Sequence, residues 1–292
     1  MTTTLTRVEA NGSLADFIWF RCGGPAEWLA RPADEEELAA LLRDTPLDTP
    51  VMAIGVGSNL LVRDGGVRGL VIRLPKSFAR VSVSGTTVTA GAAAMGITVA
   101  SAARDAGLAG LEFLRGIPGT AGGAVAMNAG AYGRDVADVL VSARVMERCG
   151  TVADWPAERF GFRYRHADLP QGAIVLSAIF RGVAGDPKVI GAEMDRIAAE
   201  REASQPLRSR TGGSTFTNPP GEKAWELIDR AGCRGLSLGG AMVSDKHCNF
   251  LLNTGTATGD ELEALGERVR ERVLASTGVR LEWEIRRVGS SC

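Results

Sequence analysis

Arg115-Gly-Ile-Pro-Gly-Thr-Ala-Gly-Gly-Ala-Val-Ala-Met-Asn-Ala-Gly-Ala-Tyr-Gly133 is the stretch on which the reading of this chain turns. Six of its nineteen residues are glycine and most of the others are small. Such a run has almost no bulk to bury, so it is not expected to build a core of its own. What it offers is backbone amides with few side chains in the way. Glycine reaches positive φ at no steric cost, so successive N–H groups can be turned toward one point. A phosphate or pyrophosphate is the usual occupant of such a point. Arg115, at the edge, is the only basic residue of the run, so an anion here is held more by amide dipoles than by side-chain charge. Composition alone leaves a second reading open, a tightly packed glycine loop between two elements.

Outward from that stretch, the bulk properties narrow the class. The chain has 292 residues, enough for about two domains of ~150 residues. Its 37 glycines are nearly double the roughly 7% average, and many cluster, which points to ligand loops. A formal net charge of −1 gives no global electrostatic case for nucleic acid or an anionic membrane surface. The five cysteines are widely spaced with no CxxC, so neither a disulfide framework nor a zinc ribbon is expected. With only His166 and His247 available, no multi-histidine metal site is expected either. The N-terminus, from Met1 to Glu9, lacks a basic flank followed by an apolar run, and no apolar stretch of about 18 residues occurs. A reduced, soluble, cytoplasmic protein is the expectation.

In chain order, Asp34 with Glu37 marks a helix start whose Leu38, Leu41 and Leu42 form one apolar face. Val51–Ile54 reads as a buried strand ending at Gly55-Val-Gly57-Ser58-Asn59-Leu60. Leu70–Ile72, Val81–Ser84 and Thr87–Gly91 are strand-like, the last two by period-two alternation. Ile97–Ala106 can form a helix closed by Gly107. Val139–Val145 and Ile174–Phe180 read as strands, and Val189–Arg201 as a helix. After Gln205-Pro206 the composition turns polar, basic and glycine-bearing. Trp225, Leu227 and Ile228 suggest a short helix, and Asn249–Asn253 a strand. Asp260 is read as the cap of a helix striped by Leu262, Leu265, Val269 and Val273. A last strand is read across Gly278–Arg286. Three segments emerge, expected at 1–75, 76–200 and 201–292.

The nucleotide motifs fail. Gly55-x-Gly57 lacks its third glycine, because Leu60 stands there, and no acidic residue follows about 20 positions on. No GxxxxGK[ST] occurs. A different set of motifs runs through the chain in order: Gly55-Val-Gly-Ser-Asn-Leu-Leu-Val62, Gly116-Ile-Pro-Gly-Thr-Ala-Gly-Gly-Ala124, Met127-Asn-Ala-Gly-Ala-Tyr-Gly133, Gly213-Ser-Thr-Phe216 and Leu281-Glu-Trp-Glu-Ile-Arg286. Together they closely resemble the UDP-N-acetylenolpyruvoylglucosamine reductase (MurB) family, flavoenzymes of peptidoglycan precursor synthesis, over nearly the whole chain. The length resembles the compact, type II-like subtype. The resemblance implies an α+β fold: a two-subdomain FAD-binding module of the vanillyl-alcohol-oxidase (PCMH) type, then a C-terminal α+β substrate domain. It also implies NADPH-dependent reduction of UDP-N-acetylglucosamine-enolpyruvate, with NADPH and substrate using the same cleft in turn.

Residue roles follow from the same motifs. The resemblance implies that Gly55, Gly57, Ser58, Asn59 and Leu60 bind FAD. Gly116, Ile117, Pro118, Gly119, Gly122, Gly123, Asn128 and Gly130 would do so from the second glycine loop. Neither histidine lies in these loops, so the FAD is expected to be non-covalent. Phe162-Arg163-Tyr164-Arg165 matches the family's F-x-Y-R, making Arg165 the cation for an enolate and Tyr164 a substrate contact. Ser214 matches the proton-donating serine and Glu284 the catalytic carboxylate. Beside a carboxylated substrate, Glu284 would have to be protonated or paired with Arg165. Glu282 is its rival within the motif. Arg208, Arg210, Asn218, Lys246 and His247 are candidates for the substrate's UDP. Two departures stand out: Ala167 where many members have serine, and Ser204 where many have lysine before Gln-Pro. Taken singly, each of these residues also has a plain reading, as a surface ion pair, a turn serine or a solvated charge. An oxidase of the same fold and a non-catalytic flavin or nucleotide-sugar sensor are the rival functions.

Overall fold

The structure is a computed structural model describing residues 7–292. The stretch read for a leader therefore lies mostly outside the described residues. The chain divides into two packed units. Among the described residues, one comprises 7–10, Trp28–Gly55 and Gly69–Glu200, the other Asn11–Glu27, Val56–Arg68 and Arg201–Cys292.

A four-stranded sheet, most of whose residues belong to the first unit, is ordered Arg7–Gly12, Ala26–Arg31, Val67–Arg73, Val51–Ile54. The last two strands run parallel, with Val51 opposite Leu70. Helix α1 (Glu35–Asp44) lays Leu38 and Leu42 on this sheet's core, and the Asp34 side chain accepts from Glu37 N at 2.9 Å, as the sequence predicts. A second, five-stranded antiparallel sheet is ordered Val152–Pro156, Leu140–Met146, Ile174–Arg181, Thr87–Gly91, Val81–Ser84. Small residues of α2 (Gly96–Asp105) bury against it: Val99, Ala100 and Ala103.

The glycine-rich stretch itself holds a helix the sequence reading missed, α3 (Ala121–Ala126), capped by Thr120. The run builds no core of its own: Ala121, Ala124 and Val125 are buried in the core they share with the five-stranded sheet. The reason is close approach. A Cβ on Gly122 would lie 2.8 Å from Ala92 Cβ, so only a helix of small residues can sit this near the sheet. Helix α4 (Pro187–Ser204) adds Ile190 and Met194 to the same core.

The second unit surrounds α5 (Ala224–Arg230) and α6 (Gly259–Thr277). Leu262, Leu265, Val269 and Val273 are fully buried in its core, as their stripe requires. Its three-stranded antiparallel sheet is Ser237–Leu238, Ala241–Val243, Leu251–Asn253. Two expectations are corrected. Thr258, not Asp260, caps α6: Glu261 N donates to Thr258 Oγ1 at 3.1 Å and Glu261 answers at the Thr258 amide. Asp260 sits inside the first turn, where its N–H bonds the Asp64 carboxylate at 2.8 Å. The final strand is Arg286–Val288, paired in parallel with Leu60–Val62, rather than the predicted Gly278–Arg286. Before Arg286 the chain meets residues 215–217 through single hydrogen bonds, too irregular to make a ladder.

Candidate active site

In the first unit, Gly55 follows the strand Val51–Ile54, and a Cβ there would fall 2.7 Å from Thr120 Oγ1. The first glycine motif thus begins against the cap of α3. Not every amide of the run is available to a ligand. Ala121 N and Gly122 N donate to Ala94 O and Ala92 O at 2.7 and 2.9 Å. Gly123 N donates to Thr120 Oγ1 at 3.4 Å and Ile117 N to Leu114 O at 3.3 Å, while Pro118 has no N–H. The reading of successive amides converging on one point is corrected accordingly. The N–H groups of Gly119 and Thr120 donate to no group among the described residues, and Gly119 has a φ of +137°. Gly116 is glycine for a packing reason, because a Cβ would press 2.7 Å from the Tyr132 ring.

Arg165 is carried on a tight turn. Arg163 and His166 exchange both backbone hydrogen bonds at 3.0 Å, leaving Tyr164 and Arg165 at the tip. Arg165 has φ +56°, its Nη2 donates to Gly130 O at 2.9 Å, and its guanidinium lies 4.9 Å from the Tyr164 ring centre. Asp168 accepts from Arg163 at 2.7 Å and pairs with His166 at 2.9 Å. Those two bonds, Arg163's first, hold its carboxyl below the usual range. Ala167 is buried in the core, where a small apolar group fits in place of the serine. The buried Asn128 Nδ2 donates to Asp135 and to Arg163 O, at 3.0 and 3.1 Å.

In the second unit, Gly57, Ser58, Asn59, Ser214 and Glu284 are brought together. Gly57 has φ +60°, and a Cβ there would collide with Ile18. The N–H groups of Val56 and Gly57 donate to no group among the described residues. Asn59 Nδ2 donates to Glu284 O at 3.1 Å, and Glu284 N donates to Thr215 O at 2.8 Å. A Cβ on Gly213 would stand 3.8 Å from Ser58 O. Leu60 continues from this loop into the strand that pairs with Arg286. The segment bearing Ser214 is fixed by Asn249, a buried amide that sequence reasoning missed. Its Oδ1 accepts from Phe216 N at 3.0 Å and its Nδ2 donates to Phe216 O at 2.8 Å. One polar side chain between Cys248 and Phe250, in a buried run, was the available signal. Ser214 Oγ is half-buried and makes no hydrogen bond among the described residues. Glu282 points to solvent with 69% of its side chain exposed, whereas Glu284 is half-buried.

The candidate UDP contacts separate. Lys246 Nζ donates to Glu202 O, and Arg208, 95% exposed, lies 3.7 Å from the Glu202 carboxylate, so these two cations share one locality. Arg210 lies at another, its Nη1 3.4 Å from Gly255 O. His247 packs edge-on to Phe250 at 4.8 Å, with a buried Nδ1 lacking a partner among the described residues. Burial holds its pKa down. Asn218 Oδ1 accepts from Ala224 N at 3.0 Å and so tethers the start of α5.

Comparison with known proteins gives this geometry its context. Residues 205–288 match the UDP-N-acetylenolpyruvoylglucosamine reductase C-terminal domain, and residues 26–155 an FAD binding domain. UDP-N-acetylenolpyruvoylglucosamine reductase of Rhizorhabdus wittichii is 60% identical over 284 residues, 97% of this chain and 93% of that protein. The chain belongs to the UDP-N-acetylenolpyruvoylglucosamine reductase family. The same reductase of Novosphingobium aromaticivorans is 59% identical over 97% of this chain and 96% of its own length. The crystal structure of the Thermus caldophilus reductase superposes with a TM-score of 0.86 at 36% identity, covering 97% of this chain and all (100%) of that one. Among the described residues no group of His, Cys, Asp and Glu could hold a metal. No described helix is long and apolar enough to cross a membrane.

Proposed function

We propose that the chain catalyses reduction of the enolpyruvyl ether of UDP-N-acetylglucosamine-enolpyruvate to UDP-N-acetylmuramate, a cytoplasmic step of peptidoglycan precursor synthesis, with FAD as cofactor and NADPH as hydride donor. The observation that carries the residue assignment is the convergence of Ser214, Glu284 and the Gly57–Asn59 loop within one unit. Each unit by itself offers amides to FAD: those of Gly119 and Thr120 in one, and of Val56 and Gly57 in the other, have no acceptor among the described residues. Once reduced by NADPH, bound FAD would supply hydride to the terminal alkene carbon of the substrate.

Negative charge then develops on the neighbouring carbon and its carboxylate. Arg165 places a positive charge for that enolate, held in position by its bond to Gly130 O. Ser214 Oγ–H, which has no competing acceptor among the described residues, delivers the proton to the carbon. A serine hydroxyl is a weak acid, but an enolate carbon is a strong base, so the transfer runs downhill. Glu284 supports that transfer from the segment that bonds Thr215. Residues 1–75 and 76–200 serve the cofactor and 201–292 the substrate, with Arg208, Arg210, Lys246 and His247 offered to the UDP. Arg208 and Arg210 take over the charge missing at Ser204.

The test is NADPH oxidation dependent on the enolpyruvyl nucleotide. Wild type turns over. Ser214→Ala loses substrate-dependent turnover while its flavin is still reduced by NADPH, because that half-reaction needs no carbon protonation. Wild-type turnover in Ser214→Ala would sink the proton-donor assignment. Flavin binding with no nucleotide-dependent oxidation in the wild type would leave a sensor instead.

A further inference from the structure

We infer that Asn128 is a positioning residue, holding the Arg165 turn in its working shape and acting on the reaction through Arg165 rather than through the cofactor. The inference rests on the assignment of Arg165 as the enolate's cation.

Asn128 is 2% exposed, and its amide is used to the full by neighbours. Its Nδ2 donates to Asp135 Oδ2 at 3.0 Å and to Arg163 O at 3.1 Å, and its Oδ1 accepts from Ala137 N at 2.9 Å. Only this orientation of the amide works, since the flipped one would set NH₂ against N–H and oxygen against two oxygens. No donor is left over for a flavin. What the amide reaches is the base of the Arg165 turn, because Arg163 O also accepts from His166 N there.

The same segment grips the tip of that turn. Two residues along from Asn128, Gly130 O accepts from Arg165 Nη2 at 2.9 Å. Gly130 has to be glycine for this: a Cβ would stand 3.1 Å from Arg165 Nη1 and 2.7 Å from Asp135 Cβ. The turn needs such support. Arg165 has φ +56°, a left-handed conformation that a long side chain adopts at a cost and keeps only where its surroundings over-determine it. Asn128 has φ +44°, which asparagine tolerates better than most residues. The motif Met127-Asn-Ala-Gly130 is therefore a template for the arginine.

The experiment uses the FAD-loaded enzyme and two variants. Asn128→Gly keeps the left-handed backbone and removes only the amide. Asn128→Asp keeps an acceptor for Ala137 N but loses both donors. Oxidation of the NADPH-reduced enzyme by UDP-N-acetylglucosamine-enolpyruvate is expected to slow by about 10²-fold in each, the scale of a small misplacement of a catalytic group. FAD content and reduction by NADPH stay at wild-type values. Asn128→Gly added to Arg165→Lys costs nothing beyond Arg165→Lys alone, which a merely structural role would not produce. If Asn128→Gly is insoluble, Asn128→Asp decides by the same readings. Lost FAD with an intact oxidation step, or losses that multiply in the double variant, would overturn the inference. So would wild-type oxidation in the Asn128 variants when Arg165→Lys is slow. Wild-type oxidation in Arg165→Lys itself would overturn the arginine's assignment and the inference with it.

Discussion

At the scale of single residues, Glu282 and Glu284 show what a motif can and cannot say. Both stand in Leu281-Glu-Trp-Glu-Ile285, and alternation puts them on one face. Position in the family motif favours Glu284, and the fold adds a physical reason. Glu284 is half-buried and tied through its backbone to Thr215 and Asn59, while Glu282 lies out in solvent. Glu282→Gln is therefore expected to match wild type in substrate-dependent turnover, and Glu284→Gln to lose about 10²-fold or more. The reverse ranking by steady-state kinetics would reject the assignment. His247 carries a second expectation. Burial depresses its pKa below the ordinary 6.5, so folding favours the neutral ring. The stability this contributes is complete above about pH 6.5 and is lost as pH falls through the lower folded-state value. Denaturant midpoints at pH 7.5 and 5.5 should fall further apart in wild type than in His247→Gln; equal drops would exclude the effect. As candidates, Arg165, Ser214 and Glu284 stand out only as members of ordered motifs, since nothing in a lone arginine or serine marks it. Asn128 was read as a cofactor ligand because its partners, Asp135, Ala137 and Arg163, are set by the turn geometry and not by the local sequence.

Elements with bulky periodic residues could be read directly. The strand Val51–Ile54 and the apolar stripe of α6 fall where the sequence puts them. Helix α3 escaped because Ala-Gly-Gly-Ala-Val-Ala has no bulk to make a period and carries two glycines, each a cost of about 1 kcal/mol in a helix. The Thr258 cap was legible as Thr-x-x-Glu, but the acidic Asp260 drew the reading. The true extent of the last strand was not, because its partner Leu60–Val62 is more than 200 residues away in sequence, so only tertiary pairing defines it. Helix α6 also sets two local rules against each other. Gly266 lies mid-helix, where alanine is favoured by about 1 kcal/mol. A Cβ there would land on the indole of Trp283. That ring cannot easily yield: its Nε1 donates to Glu267 at 2.7 Å, Phe216 lies 5.0 Å away and the Arg287 guanidinium 4.6 Å. Overpacking of this kind costs about 1–3 kcal/mol, so Gly266→Ala should be destabilising on balance. A raised denaturant midpoint in Gly266→Ala would show that the indole moves freely after all.

For the molecule as a whole, a cofactor bound to the folded state adds stability that the chain does not itself supply. Neither glycine motif, Gly55–Leu60 nor Gly116–Gly130, contains a histidine or cysteine that could bond covalently to a flavin. His166 is held by Asp168, and His247 is packed against Phe250. Among the cysteines, Cys22, Cys233 and Cys248 are buried, and burial raises all three thiols, Cys22 to about 12, while the exposed Cys149, its thiol lowered by the bond to Thr151, and the exposed Cys292 lie outside both glycine motifs. Amide dipoles from glycine loops hold a ligand reversibly. Denaturing the loaded enzyme in guanidinium and filtering it should therefore pass all the yellow colour, and colour retained on the chain would contradict this. Reversible binding to the folded state alone also has a quantitative consequence. Free FAD at 100 times its Kd should add about 2.7 kcal/mol. For a chain of 292 residues that is a rise of about 4 °C in the melting temperature. The rise should grow with the logarithm of free FAD. A melting temperature independent of FAD concentration would mean that the described amides do not hold the cofactor.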